Sequence, residues 1–347
     1  MYRVTSPWQP GQLLFAGFAG SSLPDDLAAL IGAGRVGGVV LFARNVESPE
    51  QLRALVSELH ARAPADTPLC VAIDQEGGRV QRLRAPWTEW PPMRRLGERG
   101  SAADTQALAG ALGRELADLR IDLDFAPVAD VDTNPANPVI GDRSFSRDPD
   151  EVARHAVAFA TGLQREGVAA CAKHFPGHGD TTVDSHLELP RIEHDRTRLE
   201  RIELVPFRAV AAAGVASMMT AHVWLPRVDP RLPATLSPAV LALLREEIGY
   251  DGLVFSDDLE MRAIADRFAP AEVAHAALTA GVDALLACSR AELRDELLAA
   301  LESFPDRLVE AGLGRMAAFK RRFSGGRRSG SGAPPYAAHR ELASRLT

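Results

Sequence analysis

The sequence predicts a single (β/α)8 barrel of the TIM type, and three observations lead to this fold class. Short apolar runs alternate with longer amphipathic stretches along most of the chain. The runs are almost continuously apolar, as is typical of parallel strands that are covered by helices outside and packed inside. Eight such alternations occur without a break in composition, and no GxGxxG motif opens the first helix. These features favour a closed barrel over an open, doubly wound sheet.

The predicted strands and helices follow in a regular order. Helices are expected to begin where Ser48, Asp148 or Ser237 precedes a proline, because each side chain can cap the first turn. Glycines such as Gly167 and Gly214 end helices just before the next strand. The eight strands are expected at Leu13–Gly17, Val36–Phe42, Leu69–Asp74, Leu123–Pro127, Ala169–His174, Ser217–His222, Gly252–Ser256 and Ala284–Ala287.

Length and composition fit one large domain. The chain has 347 residues, of which 46% are hydrophobic and 24% charged. The length alone would suggest two domains, but α/β barrels commonly hold this many residues in one. We therefore predict a catalytic barrel over residues 1–323. A tail over residues 324–347, which opens with glycine, serine, arginine and proline, is expected to be flexible.

Several classes of function are excluded by the same composition. The net charge is −7 and no basic stripe occurs, which argues against a nucleic-acid partner. The segment Met1–Trp8 lacks the apolar core of a signal peptide, and no apolar run approaches the roughly 20 residues that span a bilayer. The three cysteines form no CxxC motif. We expect a cytoplasmic monomer without a cofactor, a metal or a membrane partner.

Ionisable side chains collect at the predicted ends of five successive strands, the third to the seventh. In a barrel of this kind, the carboxyl ends of the strands form the active-site face. Charges gathered there would repel one another, or cost desolvation energy, unless a polar ligand met them. The segments concerned are Asp74–Arg82, Asp130 with Gly141–Phe145, Lys173–Asp180 with Asp184–His186, Thr220–His222 and Ser256–Leu259.

The mixture of side chains in these segments indicates a sugar ligand. Aspartate, arginine, lysine and histidine are abundant, and no glycine-rich phosphate loop occurs. Converging carboxylates and cations suit a polyhydroxylated substrate. A glycosidase also needs a carboxylate opposite the anomeric carbon and a proton donor for the leaving oxygen. Asp257, at the end of the seventh strand, is a candidate for the carboxylate.

These segments resemble the motifs of the family 3 glycoside hydrolases, in their bacterial β-N-acetylhexosaminidase branch. The resemblance rests on KHFPGHGD at 173–180 followed by DSH at 184–186. DQEGGRV at 74–80, GDRSF at 141–145 and SDDL at 256–259 match as well, in the family's order within residues 10–290. The combination is specific, whereas any one of the short motifs alone would be weak.

The resemblance implies a role for each matching residue. Asp257 would be the nucleophile that forms a covalent glycosyl-enzyme, with retention of configuration. His186 would be the general acid/base, and Asp184 would orient it and stabilise its charged form. The implied ligands of the sugar hydroxyls and the N-acetyl group are Asp74, Arg82, Arg143, Lys173 and His174.

The resemblance also implies a substrate. Bacterial members with one domain usually remove N-acetylglucosamine from 1,6-anhydro-N-acetylmuramic acid, with or without attached peptide, in cell-wall recycling. The loop that carries Asp184 and His186 is expected to be mobile and to close over the substrate, because Gly177 and Gly179 precede a long polar connection.

Three alternatives stay open at the level of sequence. A phosphorylase would use the same aspartate and histidine, because a neutral imidazole tolerates an incoming phosphate. A non-catalytic sugar-binding barrel would lack one of the three catalytic residues, and all three are present. A metal site is a weaker interpretation, since no HExxH motif occurs. Its ligands would come from His174, His178, Asp180, Asp184 and His186.

Overall fold

The computed structural model describes residues 8–185, 187–324 and 332–347. Eight parallel strands close into one barrel, in which β1 pairs with both β2 and β8. This confirms the predicted (β/α)8 fold, and each predicted strand is present. The strands are β1 Leu14–Ala16, β2 Gly38–Leu41, β3 Cys70–Ile73, β4 Leu123–Asp124, β5 Ala169–Phe175, β6 Ser217–Thr220, β7 Leu253–Asp258 and β8 Ala284–Ala287.

Helices surround the barrel and connect successive strands. The predicted caps are confirmed: the side chains of Ser48, Asp148 and Ser237 accept backbone N–H groups of the first turns of α2, α5 and α8. The helices are α1 Asp25–Gly32, α2 Pro49–Arg62, α3 Met93–Arg99, α4 Ala102–Asp118, α5 Pro149–Arg165, α6 Arg196–Arg201, α7 Leu204–Ala212, α8 Pro238–Ala242, α9 Arg262–Ala265, α10 Pro270–Ala280, α11 Ala291–Ser303, α12 Asp306–Phe323 and α13 Ala337–Leu346. Gly167 and Gly214, after α5 and α7, adopt φ values of 79° and 74°.

Aromatic side chains fill the inside of the barrel. The ring of Phe255 lies edge-on to the rings of Phe15 and Phe125, at centroid distances of 5.0 and 5.4 Å. A side chain on Gly38 would collide with the Phe15 ring, because a Cβ there would lie 2.1 Å from Phe15 Cε1. The interior is thus a packed core, and it supports the strand ends on which the ionisable groups lie.

Two short antiparallel strands, Gln75–Gly77 and Val80–Gln81, follow β3 directly. They fold the DQEGGRV segment into a hairpin over the carboxyl end of the barrel. Gln75 secures this hairpin, because its side-chain oxygen accepts the backbone N–H groups of Arg82 and Leu83 at 2.8 and 3.0 Å. The segment was expected to follow a strand end, and the hairpin fixes the direction of its charged side chains.

The expectation of a flexible tail is wrong for residues 337–346, which form α13. This helix packs against α3 and α4. Tyr336 donates a hydrogen bond to Asp118 at 3.0 Å, and His339 Nδ1 lies 2.8 Å from Glu115. The preceding segment is polar and gave no indication that Ala343 would pack into the hydrophobic core. Residues 325–331 of the predicted tail lie outside the described residues.

Among the described helices, none is both long enough and apolar enough to cross a membrane. All three cysteines are buried, and none of them forms a disulfide within the described part of the chain.

Candidate active site

A polar cavity of about 200 Å3 opens at the carboxyl ends of the strands. Six of the predicted site residues line it: Asp74, Arg82, Arg143, Lys173, His174 and Asp257. Glu76, His178, Ser185 and Asp258 line it too. The segments that carry these residues are far apart in the sequence, and the barrel brings them together because parallel strands end on one face.

Lys173, on β5, lies between two carboxylates. Its ammonium group is 2.7 Å from Asp74 and 2.7 Å from Glu76. Arg82 also donates to Asp74, at 3.1 Å. Burial would raise the pKa of Asp74, but Lys173 and Arg82 outweigh it and lower the pKa. Asp74 is therefore ionised at neutral pH, and its carboxylate can accept hydrogen bonds.

Arg143 reaches the same cluster from the connection after β4. Its guanidinium donates two hydrogen bonds of 2.8 Å to the two oxygens of Glu76. Burial would raise the pKa of Glu76, but Arg143 and Lys173 lower it strongly. Three cations, Arg82, Arg143 and Lys173, thus line the cavity together with the carboxylates of Asp74, Glu76 and Asp257.

His174 is held by a buried carboxylate behind the cavity. Its Nδ1 lies 2.7 Å from Asp130, while its Nε2 faces the cavity 3.5 Å from Arg143. Burial would raise the pKa of Asp130, but His174 and His178 lower it. The carboxylate thus accepts a hydrogen bond from His174 Nδ1–H and leaves Nε2 facing the cavity.

Asp257 lies near the end of β7 and faces the cavity. Burial would raise its pKa, but His222, His174 and the backbone N–H of Asp258 lower it. That N–H lies 2.8 Å from Asp257 Oδ1. For the neighbouring Asp258, burial and nearby carboxylates raise the pKa to about 7. Of the two adjacent aspartates, Asp257 is therefore the stronger acid and the one that is fully ionised at neutral pH.

The connection after β5 carries the predicted acid/base couple. Asp184 and Ser185 are described, whereas His186 lies outside the described residues. Ser185 lines the cavity together with Asp257. The carbonyl of Asp184 accepts the backbone N–H groups of Leu187 and Glu188, at 2.9 and 3.1 Å. The described residues of this stretch, Asp184, Ser185, Leu187 and Glu188, thus lie in a turn beside the cavity.

Four residues of the site were not predicted to be catalytic or to bind substrate. Glu76 was part of the DQEGGRV motif, but the motif alone did not show that its carboxylate pairs with Arg143 and Lys173. His222 and Ser185 also lay within quoted segments. His178, which lines the cavity, was one of the possible metal ligands. In the described part of the chain, which omits His186, no three histidine, cysteine or acidic side chains are arranged to hold a metal ion.

A larger groove, of about 970 Å3, lies away from this face between the end of α7, the segment before β7 and α12. Its charged residues include Arg208, Arg315 and Arg322, and a single carboxylate, Asp251. The groove does not have the opposing carboxylates of the strand-end cavity, so the chemistry predicted from the sequence belongs to the smaller site.

Comparison with known proteins agrees with the geometry. Residues 9–319 match the family described as glycosyl hydrolase family 3 N terminal domain. The chain belongs to this family and is therefore a glycoside hydrolase on a (β/α)8 barrel. Within the family it lies in the bacterial β-N-acetylhexosaminidase branch. The beta-hexosaminidase of Thiobacillus denitrificans is 45% identical over 291 residues, which are 82% of this chain and 80% of the relative. That of Chromobacterium violaceum is 43% identical over 319 residues, or 90% and 87% of the two chains.

Solved structures show the same similarity. A family 3 β-N-acetylglucosaminidase from Paenibacillus sp. FPU-7 superposes with a TM-score of 0.89 at 40% identity and covers 100% of this chain and 68% of its own. NagZ from Neisseria gonorrhoeae, in complex with N-trifluoroacetyl-D-glucosamine, superposes with a TM-score of 0.83 at 36% identity, covering 98% and 97%. The activity class of the chain is that of a β-N-acetylhexosaminidase.

Proposed function

We propose that this enzyme releases terminal β-linked N-acetylglucosamine from peptidoglycan fragments in cell-wall recycling. Its substrate would be N-acetylglucosaminyl-1,6-anhydro-N-acetylmuramic acid, with or without attached peptide. The observation that carries the proposal is the position of Asp257, an ionised carboxylate in a cavity that is also lined by Ser185 of the DSH segment and by the cations Arg82, Arg143 and Lys173. The reaction would take place in the cytoplasm, as the sequence predicts.

In the first step, Asp257 attacks the anomeric carbon. A carboxylate oxygen forms a bond to that carbon while the glycosidic C–O bond breaks, and the leaving oxygen takes a proton. The low pKa of Asp257 supports this role, because the nucleophile must be ionised. Asp258, whose pKa is about 7, is less suited to it.

The proton would come from His186, with Asp184 accepting a hydrogen bond from its imidazole. In the second step, the neutral imidazole takes a proton from the attacking water, and the bond between Asp257 and the sugar breaks. Configuration is therefore retained. The position of Ser185 in the cavity lining supports this assignment, since Ser185 lies between the two members of the couple.

Substrate binding would use the cluster of carboxylates and cations that lines the cavity. The carboxylate of Asp74 would accept hydrogen bonds from sugar hydroxyls, and Arg82, Lys173 and Arg143 would donate hydrogen bonds to sugar oxygens or to the acetamido carbonyl. His174 presents Nε2 to the same cavity. The N-acetylglucosamine analogue named for the N. gonorrhoeae relative supports a site of this size and polarity.

The test uses purified full-length protein with N-acetylglucosaminyl-anhydromuramyl substrates beside chitobiose. We expect a higher kcat/KM for the muramyl disaccharide and an initial β-anomeric product, observed by proton NMR. An α-anomeric initial product would contradict the retaining mechanism. Equal or higher kcat/KM for chitobiose would contradict the proposed substrate.

A phosphorylase would use the same nucleophile and couple. Adding inorganic phosphate separates the two reactions. We expect the rate to be unchanged and free N-acetylglucosamine to be the product. Accelerated turnover with formation of a sugar 1-phosphate would identify a phosphorylase instead.

A further inference from the structure

The imidazole of His178 is hydrogen bonded at both nitrogens. Nδ1 lies 3.0 Å from Thr181 Oγ1, and Nε2 lies 3.0 Å from Ser185 Oγ. Only 1% of His178 is exposed. The side chain of His178 therefore joins Thr181 to Ser185. Ser185 is adjacent in sequence to Asp184 and His186, the proposed acid/base couple.

His178 is itself fixed to the barrel. Its backbone N–H donates to Asp130 Oδ1 at 2.7 Å, and its carbonyl accepts from Asn137 at 2.8 Å. The second oxygen of Asp130 holds His174 at 2.7 Å. Asp130 thus connects His174, which faces the cavity, to His178, which is hydrogen bonded to Ser185 of the loop.

Ser185 is the buried point of the loop tip. Ser185 is 2% exposed, whereas Asp184 is half-buried and Leu187 is 64% exposed. The carbonyl of Ser185 accepts the backbone N–H of Ala263 at 3.3 Å, from the helix that follows the strand of Asp257. Ser185 therefore touches both sides of the active site while its two chain neighbours are the proposed couple.

From this geometry we infer that the Ser185–His178 hydrogen bond is the latch that holds the acid/base loop over the cavity. Ser185 and His178 are positioning residues, which act through His186 and do not touch the reacting atoms. The inference rests on the proposed function, because it needs Asp184 and His186 to be the couple. The hydrogen bond keeps Ser185 in the cavity lining, and through Ser185 it would align the proposed couple for proton transfer to the leaving oxygen.

Either tautomer of a neutral His178 can form the latch, because a serine hydroxyl both donates and accepts. Burial and the neighbouring His174 lower the pKa of His178 to about 4, so the ring is neutral at cytoplasmic pH. The latch is therefore expected to be insensitive to pH near neutrality. Its strength depends on the hydroxyl of Ser185, which a single substitution removes.

The test compares Ser185→Ala with His186→Ala on two substrates, the 3,4-dinitrophenyl and the methyl N-acetyl-β-glucosaminides. The first leaving group needs no proton, and the second needs one. We expect Ser185→Ala to lower kcat/KM for the methyl glycoside by on the order of 10- to 100-fold and to leave the dinitrophenyl glycoside within about threefold. In the His186→Ala background, Ser185→Ala should have no further effect.

Ser217→Ala is the matched control, since Ser217 is a buried serine whose hydroxyl donates to the carbonyl of Ala170 at 3.1 Å within the barrel. If Ser217→Ala changes kcat/KM, it should do so by the same factor for both substrates. Three results would overturn the latch: Ser185→Ala leaves kcat/KM unchanged, it lowers kcat/KM equally for both substrates, or it lowers kcat/KM by its full factor in the His186→Ala background as well. If His186→Ala itself lacks the leaving-group dependence, the acid/base assignment under the proposed function fails instead.

Discussion

The carboxylate of Glu76 binds both Arg143 and Lys173, two cations contributed by segments that lie 67 and 97 residues further along the chain. All three side chains are largely buried, with exposed fractions of 2%, 11% and 3%. Arg143 depends on this buried carboxylate for its compensating charge, whereas Lys173 shares Glu76 with a second carboxylate, Asp74, at 2.7 Å.

We predict that Glu76→Gln destabilises the protein and weakens substrate binding. Removing the charge leaves Arg143 and Lys173 with one anion fewer, which costs about 3 kcal/mol. KM should rise more than kcat falls, because the displaced cations are proposed to bind the sugar. Denaturant unfolding and steady-state kinetics measure the two effects.

Glu89→Gln is the control for that variant. Glu89 pairs with Arg84 at 3.4 Å, and more than half of each side chain is exposed. Its loss should change stability by less than about 0.5 kcal/mol. Similar destabilisation by the two variants would contradict the buried role of Glu76.

Asp257→Ala should abolish turnover, with kcat reduced by about 10⁴-fold or more, because no other ionised carboxylate occupies its position. Asp142→Ala is the matched control. Asp142 lies 3.3 Å from Arg79 and is half exposed. It should retain activity within a fewfold. A trapped fluorosugar intermediate should be found on Asp257 by peptide mass spectrometry, and trapping elsewhere would refute the assignment.

Chelation with EDTA should leave turnover unchanged. The carboxylates of Asp74 and Glu76 are already neutralised by Lys173, Arg82 and Arg143, so the charge that a metal ion would supply comes from the protein. The measurement is kcat/KM after prolonged dialysis against EDTA, with and without added zinc. A loss of activity that zinc restores would show that a metal takes part.

The two lysines of the chain, Lys173 and Lys320, should titrate far apart. Burial lowers the pKa of Lys320 to about 7, and its ammonium group has one neutral partner, Gln12 Oε1 at 2.6 Å. Burial acts in the same direction on Lys173, but Asp74 and Glu76 outweigh it and raise its pKa above the usual value. NMR of lysine labelled at the ε-carbon should resolve one signal that titrates near pH 7 and another that stays constant to pH 10.

The same lysine makes stability depend on pH. Between about pH 7 and the unfolded value of 10.5, the unfolded chain holds one more proton at Lys320 than the native chain does. The free energy of unfolding contributed by this group therefore rises with pH across that window, by at most about 1.4 kcal/mol per unit. Lys320→Met should remove this slope and stabilise the protein at pH 7. An unchanged slope in the variant would contradict the low pKa.

The strands and helix starts could be read from the sequence because their signals are local. Continuous apolar runs mark β1 to β8, and Ser48, Asp148 and Ser237 before proline mark helix starts that the structure confirms. The strand-end motifs followed from the same reading, since a parallel barrel places every carboxyl end on one face.

Other features depended on distances that no local pattern encodes. The sequence placed Glu76 in a motif but did not reveal that it compensates both Arg143 and Lys173. The sequence did not indicate that His178 forms a hydrogen bond with Ser185, or that α13 packs against α4. Local apolar periodicity and capping determined the barrel and the identity of its site segments, because those energies arise between near neighbours. The tertiary structure alone decided which charges balance and what holds the loop, because burial, hydrogen bonding and pKa depend on groups that only folding brings within reach.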